Sequence, residues 1–153
     1  MAKRSKNTVK MGKYKHFKGD DKKYDAFALA FDSNGKEYVV YQALYGKKSF
    51  WIRNKEDFFD TVENNGSFVK RFTLVTEENE DHQLARFVEI INNKDVIMTN
   101  EENGELYKVY KIADKKVYVC KLNTGAYLSN VELAYRMGYA MFLVDDKISI
   151  RNL

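Results

Sequence analysis

The chain has no proline and one cysteine among its 153 residues. Without proline, its turns have to rest on Gly, Asn, Asp and Ser, which the sequence supplies. A lone Cys120 excludes an internal disulfide and a cysteine-rich zinc site. Histidine is nearly as scarce: His16 and His82 are the only two, and their spacing fits no metal-binding helix motif. No apolar run approaches the roughly 20 residues of a membrane-spanning helix. No apolar segment follows the basic N-terminus, as a secretory signal would require. A cytoplasmic protein is the simplest expectation. A phosphate-binding Walker loop, a G-x-G-x-x-G turn and a Gly-x-Ser-x-Gly elbow are all missing, and no repeat of solenoid length recurs.

What is present is a globular composition, 44% hydrophobic and 31% charged. The net charge of +4 is unevenly placed. Residues 1–23 carry nine Lys or Arg against two Asp, while the remainder carries seventeen basic against twenty acidic residues. The basic character therefore belongs to a leader. A leader of this kind can bind phosphates by counterion release, or can serve as a solvated tail.

Periodicity divides the rest. Residues 25–31 alternate, with Phe27, Leu29 and Phe31 on one expected face and alanines on the other. Asn34-Gly35 is a hairpin signal. Residues 36–45 return as KEYVVYQALY, apolar on both faces as a central strand would be. A turn at 46–49 leads to a third strand at 50–53. Residues 54–62 suit a short helix capped by Asn54, with Phe58 and Val62 on its buried face and Asn64-Asn65-Gly66 ending it. A strand is expected over 67–75. The acidic run 76–81 reads as a linker or exposed loop. Beyond it, Leu84, Phe87, Val88 and Ile91 have helical spacing, with Asp81 as the expected cap. Residues 96–99 suit a strand, 106–112 and 117–122 a hairpin. Ser129 and Glu132 form a capping box before an apolar helix face of Leu133, Ala134 and Met137, and 141–151 suit a closing hairpin.

A set of residues then follows one order: Gly12, Tyr14, His16-Phe17-Lys18-Gly19, Tyr24, Glu37, Val39-Val40-Tyr41, Leu44-Tyr45-Gly46, Trp51-Ile52-Arg53, Phe58, Val62, Gly66, Val69 and Arg71-Phe72. In that order they resemble a bacterial and phage family known as domain of unknown function 1653. Its members read roughly YRHYKG, VVYRALYG, WVRP, MF and V-P-R-F. The resemblance spans residues 12 to about 75 and brings no catalytic residues with it. Two family prolines are replaced here, by Asn54 and by Lys70. Residues 82–153 carry no such resemblance.

The expected fold is α+β and mainly β. An N-terminal, SH3-like, partly open barrel of about five strands precedes a mixed antiparallel sheet with two short helices. The expected divisions are a disordered basic arm (1–11), the small barrel (12–76), an acidic linker (77–81) and an α+β part (82–153). Each part is small enough to be marginal alone, so a shared core is open to them.

The chemistry on offer is sparse. Cys120 alternates within a strand and reads as buried. The acidic pairs Glu101-Glu102 and Asp145-Asp146 read as solvated turns, so enzymatic chemistry on nucleotides lacks a clustered acidic site. The expected function is a non-enzymatic binding module for nucleic acid or a nucleotide, without cofactor or metal. Tyr14, His16, Tyr45, Trp51, Arg53 and Arg71 would contact the ligand, and Lys10, Lys13, Lys15 and Lys18 its phosphates. Large aromatics also fill small β cores, which is the competing role for Trp51 and Tyr41. His16 is expected to serve structural hydrogen bonding. The alternative function is a phage-encoded regulator that binds and inhibits a host defence protein, of the anti-defence or anti-CRISPR type.

Overall fold

The structure is a computed structural model and describes residues 9–122, together with two short strands at 143–144 and 147–148. The strands in chain order are β1 (Met11–His16), β2 (Lys23–Phe31), β3 (Glu37–Ala43), β4 (Phe50–Asn54), β5 (Thr61–Asn64), β6 (Ser67–Lys70), β7 (Phe72–Glu78), β8 (Met98–Asn100), β9 (Leu106–Ala113) and β10 (Lys116–Lys121). The outlying pair is β11 (Leu143–Val144) and β12 (Lys147–Ile148). Two helices intervene, α1 (Lys55–Phe58) and α2 (Glu80–Asn93). The expected capping box at Ser129 and the helix after it lie outside the described residues.

The mainly β architecture is a closed six-stranded barrel with additional strands. Strands β2, β3 and β4 pair antiparallel in sequence order. Strand β8 joins β4 in parallel, with Trp51 opposite Thr99, and continues antiparallel into β9 and β10. The ring closes where β10 pairs in parallel with the far end of β2, Val117 opposite Ala30 and Tyr118 opposite Phe31. The near end of β2 pairs instead with β1, and β1 with β7. Closure removes the sheet edges of the six barrel strands.

Two readings of the chain's division change here. The barrel is not built by residues 12–76 alone, because half of its strands come from beyond residue 97. The acidic run is not a linker: Glu77 and Glu78 pair with Gly12 and Met11 through their backbones. Polar side chains on an edge strand face water, so such a strand needs no apolar pattern. Glu80 and Asp81 open α2, where negative charge suits the helix dipole. Its cap is Asn79, which accepts from the backbone N–H of His82 at 3.0 Å, rather than Asp81. Met11, expected in a disordered arm, is a buried strand residue.

Other elements shift for local reasons. Asn54 caps α1 as its position suggests, accepting from Glu56 N–H at 2.9 Å. The helix is one turn long, and Val62 lies in the β5–β6 hairpin instead. Asn65 and Gly66 both have positive φ, 54° and 83°, so Asn-Gly makes a tight hairpin turn rather than a helix end. In β2 the register shifts between Ala26 and Ala28. This bulge at Phe27 inverts the alternation. Phe27, Ala28 and Ala30 therefore face the barrel interior, and Leu29 packs on the opposite cluster.

Strand β3 is central and buried on both faces. Tyr38 and Val40 point inward, joining Phe27, Phe50, Ile52, Val109, Val117 and Val119. Helix α2 adds Leu84, Phe87, Val88 and Ile91 to this cluster, with Phe87 stacked on Phe27 at 5.5 Å. A polar anchor fixes α2 to β2: buried Asp25 accepts from Gln83 Nε2 at 2.6 Å and from Arg86 at 2.7 Å. Val39 and Tyr41 point outward into a second cluster with Tyr14, Tyr24, Phe58 and Phe72, covered by β1, α1 and β7. Gly12 is required where β7 crosses β1, because a Cβ there would lie 2.1 Å from the Thr76 carbonyl oxygen.

Candidate functional site

Two turns meet at one end of the sheet. The β1–β2 turn is tied by His16 N–H to Lys22 O (2.8 Å), Gly19 N–H to His16 O (3.2 Å) and Lys22 N–H to Gly19 O (3.1 Å). The β3–β4 turn is tied by Ala43 N–H to Ser49 O (2.9 Å) and Lys48 N–H to Tyr45 O (3.1 Å). Leu44 N–H donates to Lys23 O at 2.9 Å and so holds the turns side by side. Lys18, Lys22 and Lys23 thereby join Lys47 and Lys48, all exposed except half-buried Lys22. Lys15 and Lys23 stand directly opposite each other in the β1–β2 ladder. Like charges at opposite positions are destabilising. Asp20 offsets one of them, through a 3.0 Å ion pair with Lys15.

Aromatic and guanidinium groups back this basic end. Lys22 Nζ lies 4.6 Å from the centre of the Tyr45 ring, and the Tyr45 hydroxyl bonds that of Tyr24. Tyr24 meets His16 at 6.4 Å and Tyr41 at 5.5 Å between ring centres. The Tyr41 hydroxyl donates to Glu101 and accepts from Arg53 Nε at 3.4 Å. Arg53 also pairs with Glu101 at 3.5 Å. Burial works against the Arg53 charge, but Tyr41, Glu101 and Glu102 outweigh it and hold its pKa above the ordinary value. The Glu102 carboxyl is raised above its ordinary pKa, first by a hydrogen bond with Asp57 and then by burial. Arg71 Nε donates to the Asp57 carbonyl at 3.0 Å. His16 is lowered chiefly by burial, and its Nδ1 accepts from Lys18 N–H at 3.2 Å.

The expected ligand residues therefore separate. His16, Tyr45, Trp51 and Arg71 are half-buried around this region, Trp51 directly opposite Tyr41 across the β3–β4 ladder. Tyr14 is core: it is 3% exposed, packs edge-on to Phe58 at 5.1 Å, and donates to the Lys10 carbonyl. Arg53 is 8% exposed and committed to Glu101 and Tyr41, so it braces the site and does not reach out. Of the expected phosphate contacts, Lys10 pairs with Glu77 at 3.5 Å, away from the basic end. Lys13 is half-buried farther along β1, Lys15 is shared with Asp20, and Lys18 is exposed over Phe17. Lys22, Lys23, Lys47 and Lys48 were not among the expected phosphate contacts, although paired lysines in two turns were the available signal. Glu101 is no solvated turn acid. It spans sixty positions to reach Tyr41, and no local pattern announces that.

Cys120 lies on β10 with its neighbours Val117 and Val119 facing inward, and is itself half-buried; burial raises its thiol pKa. Among the described residues no group of three or more His, Cys, Asp or Glu is placed to hold a metal ion. No described helix is long and apolar enough to cross a membrane.

The family model described as a protein of unknown function, DUF1653, matches residues 12–74. The match begins in β1 and ends within β7. No curated protein and no solved structure matches the chain.

Proposed function

We propose that the protein is a non-enzymatic binding module for nucleic acid, which it grips by the sugar–phosphate backbone at the two-turn end of the barrel. The observation that carries this reading is the hydrogen bond from Leu44 to Lys23. It gathers lysines from two separate turns, beside the pair Lys15 and Lys23 that the β1–β2 register sets opposite each other. A row of phosphates relieves the repulsion of such a pair, and the spread of the lysines over two turns suits an extended polyanion better than a single nucleotide. Tyr45, under Lys22, and half-buried Trp51, on the adjoining strand β4, offer ring surface for unstacked bases. Arg53, Glu101 and Tyr41 hold the backing layer in place from below.

Fluorescence anisotropy of a labelled oligothymidylate with the full chain, read across a salt series, tests this. Affinity is expected to fall steeply with salt. Replacing Lys18, Lys22 and Lys47 by alanine is expected to shallow the slope of log affinity against log salt by about one per lysine that contacts phosphate. Binding that ignores salt, is absent at low salt, or survives the triple replacement unchanged would overturn the reading.

A further inference from the structure

A second surface runs along β1 and β7, from the pairing of Phe72 with His16 at one end to Lys10 at the other. Between the β5–β6 hairpin and this pair of strands runs a groove of about 220 Å³, lined by Lys10, Tyr14, Phe59, Lys70, Phe72 and Leu74. Its floor is apolar and aromatic, and its two charges are both lysines. Lys70 and Phe68 are two residues apart on β6 and so share a face of the hairpin. Phe68 is 75% exposed, and Phe59 and Val75 are also exposed. Phe68 pairs across the hairpin with Glu63, and β5 and β6 form a sheet of their own. A large phenylalanine held in water on a two-stranded ribbon gains nothing for this chain's own folding. Beside it, the outer edge of β7 pairs with no strand among the described residues.

We infer that this face is a docking site for an extended segment of a partner protein, with apolar side chains flanked by acidic residues. The segment lies along the open edge of β7, whose unpaired backbone groups can bond to its main chain. Alternate side chains of an added strand point to one face, so an apolar residue of the segment enters the groove over Tyr14, Phe72 and Leu74, and Phe68 covers it. Its acidic residues meet Lys10 and Lys70 at the two ends. Lys10 holds Glu77 in the free protein at 3.5 Å, an exposed pair that exchanges partners at little cost. The inference does not depend on the nucleic-acid reading, since no lysine of the basic end lines this groove.

Selection of random twelve-residue peptides displayed on phage, using the full chain as bait, tests the inference. Enriched peptides are expected to carry an apolar residue, or two spaced by one position, with Asp or Glu on either side. Their affinity, measured by anisotropy with the synthetic peptide, is expected to drop about tenfold or more in Phe68→Ser and in Lys70→Glu. Both side chains are exposed, so both variants should keep the wild-type circular dichroism, and the charge-neutral Phe68→Ser should also keep the oligonucleotide affinity. No enrichment, enrichment of basic peptides, or peptides indifferent to both variants would overturn it. So would a concentration-dependent dimer abolished by Phe68→Ser, which would give the face to a second copy of this chain.

Discussion

The outer and inner apolar clusters draw on different lengths of chain. The outer one, around Tyr14, Tyr24, Tyr41, Phe58 and Phe72, is drawn from residues 9–74. The inner one combines residues 27–52 with residues 84–119. The segment matched by the family model, 12–74, thus contains nearly all of one core and only part of the other. They differ in chemistry as well. The outer cluster is a mesh of rings, with Phe58 and Phe72 stacked at 4.2 Å, and its tyrosine hydroxyls reach polar partners at its rim. The inner cluster is largely aliphatic, and α2 lays four apolar residues on it. A segment can therefore bring a packed aromatic layer of its own and still depend on later residues to cover its other face.

The largest effect should come from separating the clusters. A fragment of residues 9–78 leaves Phe27, Val40, Phe50 and Ile52 without α2, β8, β9 and β10. It is expected to lack a cooperative urea transition, whereas the full chain shows one; a sharp transition in the fragment would make the outer cluster self-sufficient. Next is Phe87→Ala, which removes the ring stacked on Phe27 and is expected to cost about 3–5 kcal/mol of unfolding free energy by chemical denaturation. Asp25→Ala removes one of the two acceptors of the fully buried Gln83 amide, which keeps the Ala26 carbonyl, and removes the carboxylate partner of Arg86, which keeps Gln83 Oε1. A loss of about 2–3 kcal/mol is expected by the same measurement.

The outer cluster should respond more gently to a change at its polar rim. Tyr41→Phe keeps the ring but removes the hydroxyl shared by Glu101 and Arg53, at an expected cost of about 1–2 kcal/mol. Alkaline pH addresses the same cluster. Tyr14 is pushed up to about 12, chiefly by burial and then by Glu77, and Tyr24 and Tyr41 are also raised, first by burial. A phenol whose folded pKa exceeds its unfolded value stabilises the fold fully below the unfolded value of roughly 10. That contribution is lost as pH rises from there through the folded pKa. The urea midpoint is expected to decline from about pH 10 upward, and less so in Tyr14→Phe; an unchanged pH profile in that variant would mean Tyr14 titrates as it does unfolded.

Much of the fold could be read along the chain because it depends on neighbours. The two apolar faces of β3, the Asn34-Gly35 hairpin, the Asn54 cap and the four apolar residues of α2 were all visible. Each rests on sterics or hydrogen bonds within a few residues. The errors fall where one added residue changes phase, as at the Phe27 bulge, or where a polar strand pairs only through its backbone, as at Glu77 and Glu78. The basic end was half visible: Lys15 and Lys18 stood in the leader, whereas the turn that supplies Lys47 and Lys48 needed the Leu44–Lys23 bond to bring it alongside.

By itself, then, the sequence determined the mainly β character, the positions of most strands and turns, and the likeness of residues 12–74 to one family. These follow from side-chain period and local backbone preference, which are properties of short stretches. Only the tertiary structure decided that the barrel closes through β10 onto β2, that Tyr14 and Arg53 face inward to bracing roles, and that Glu101 meets Tyr41. Those outcomes depend on residues dozens of positions apart competing for the same faces, and burial of the whole core settles that competition.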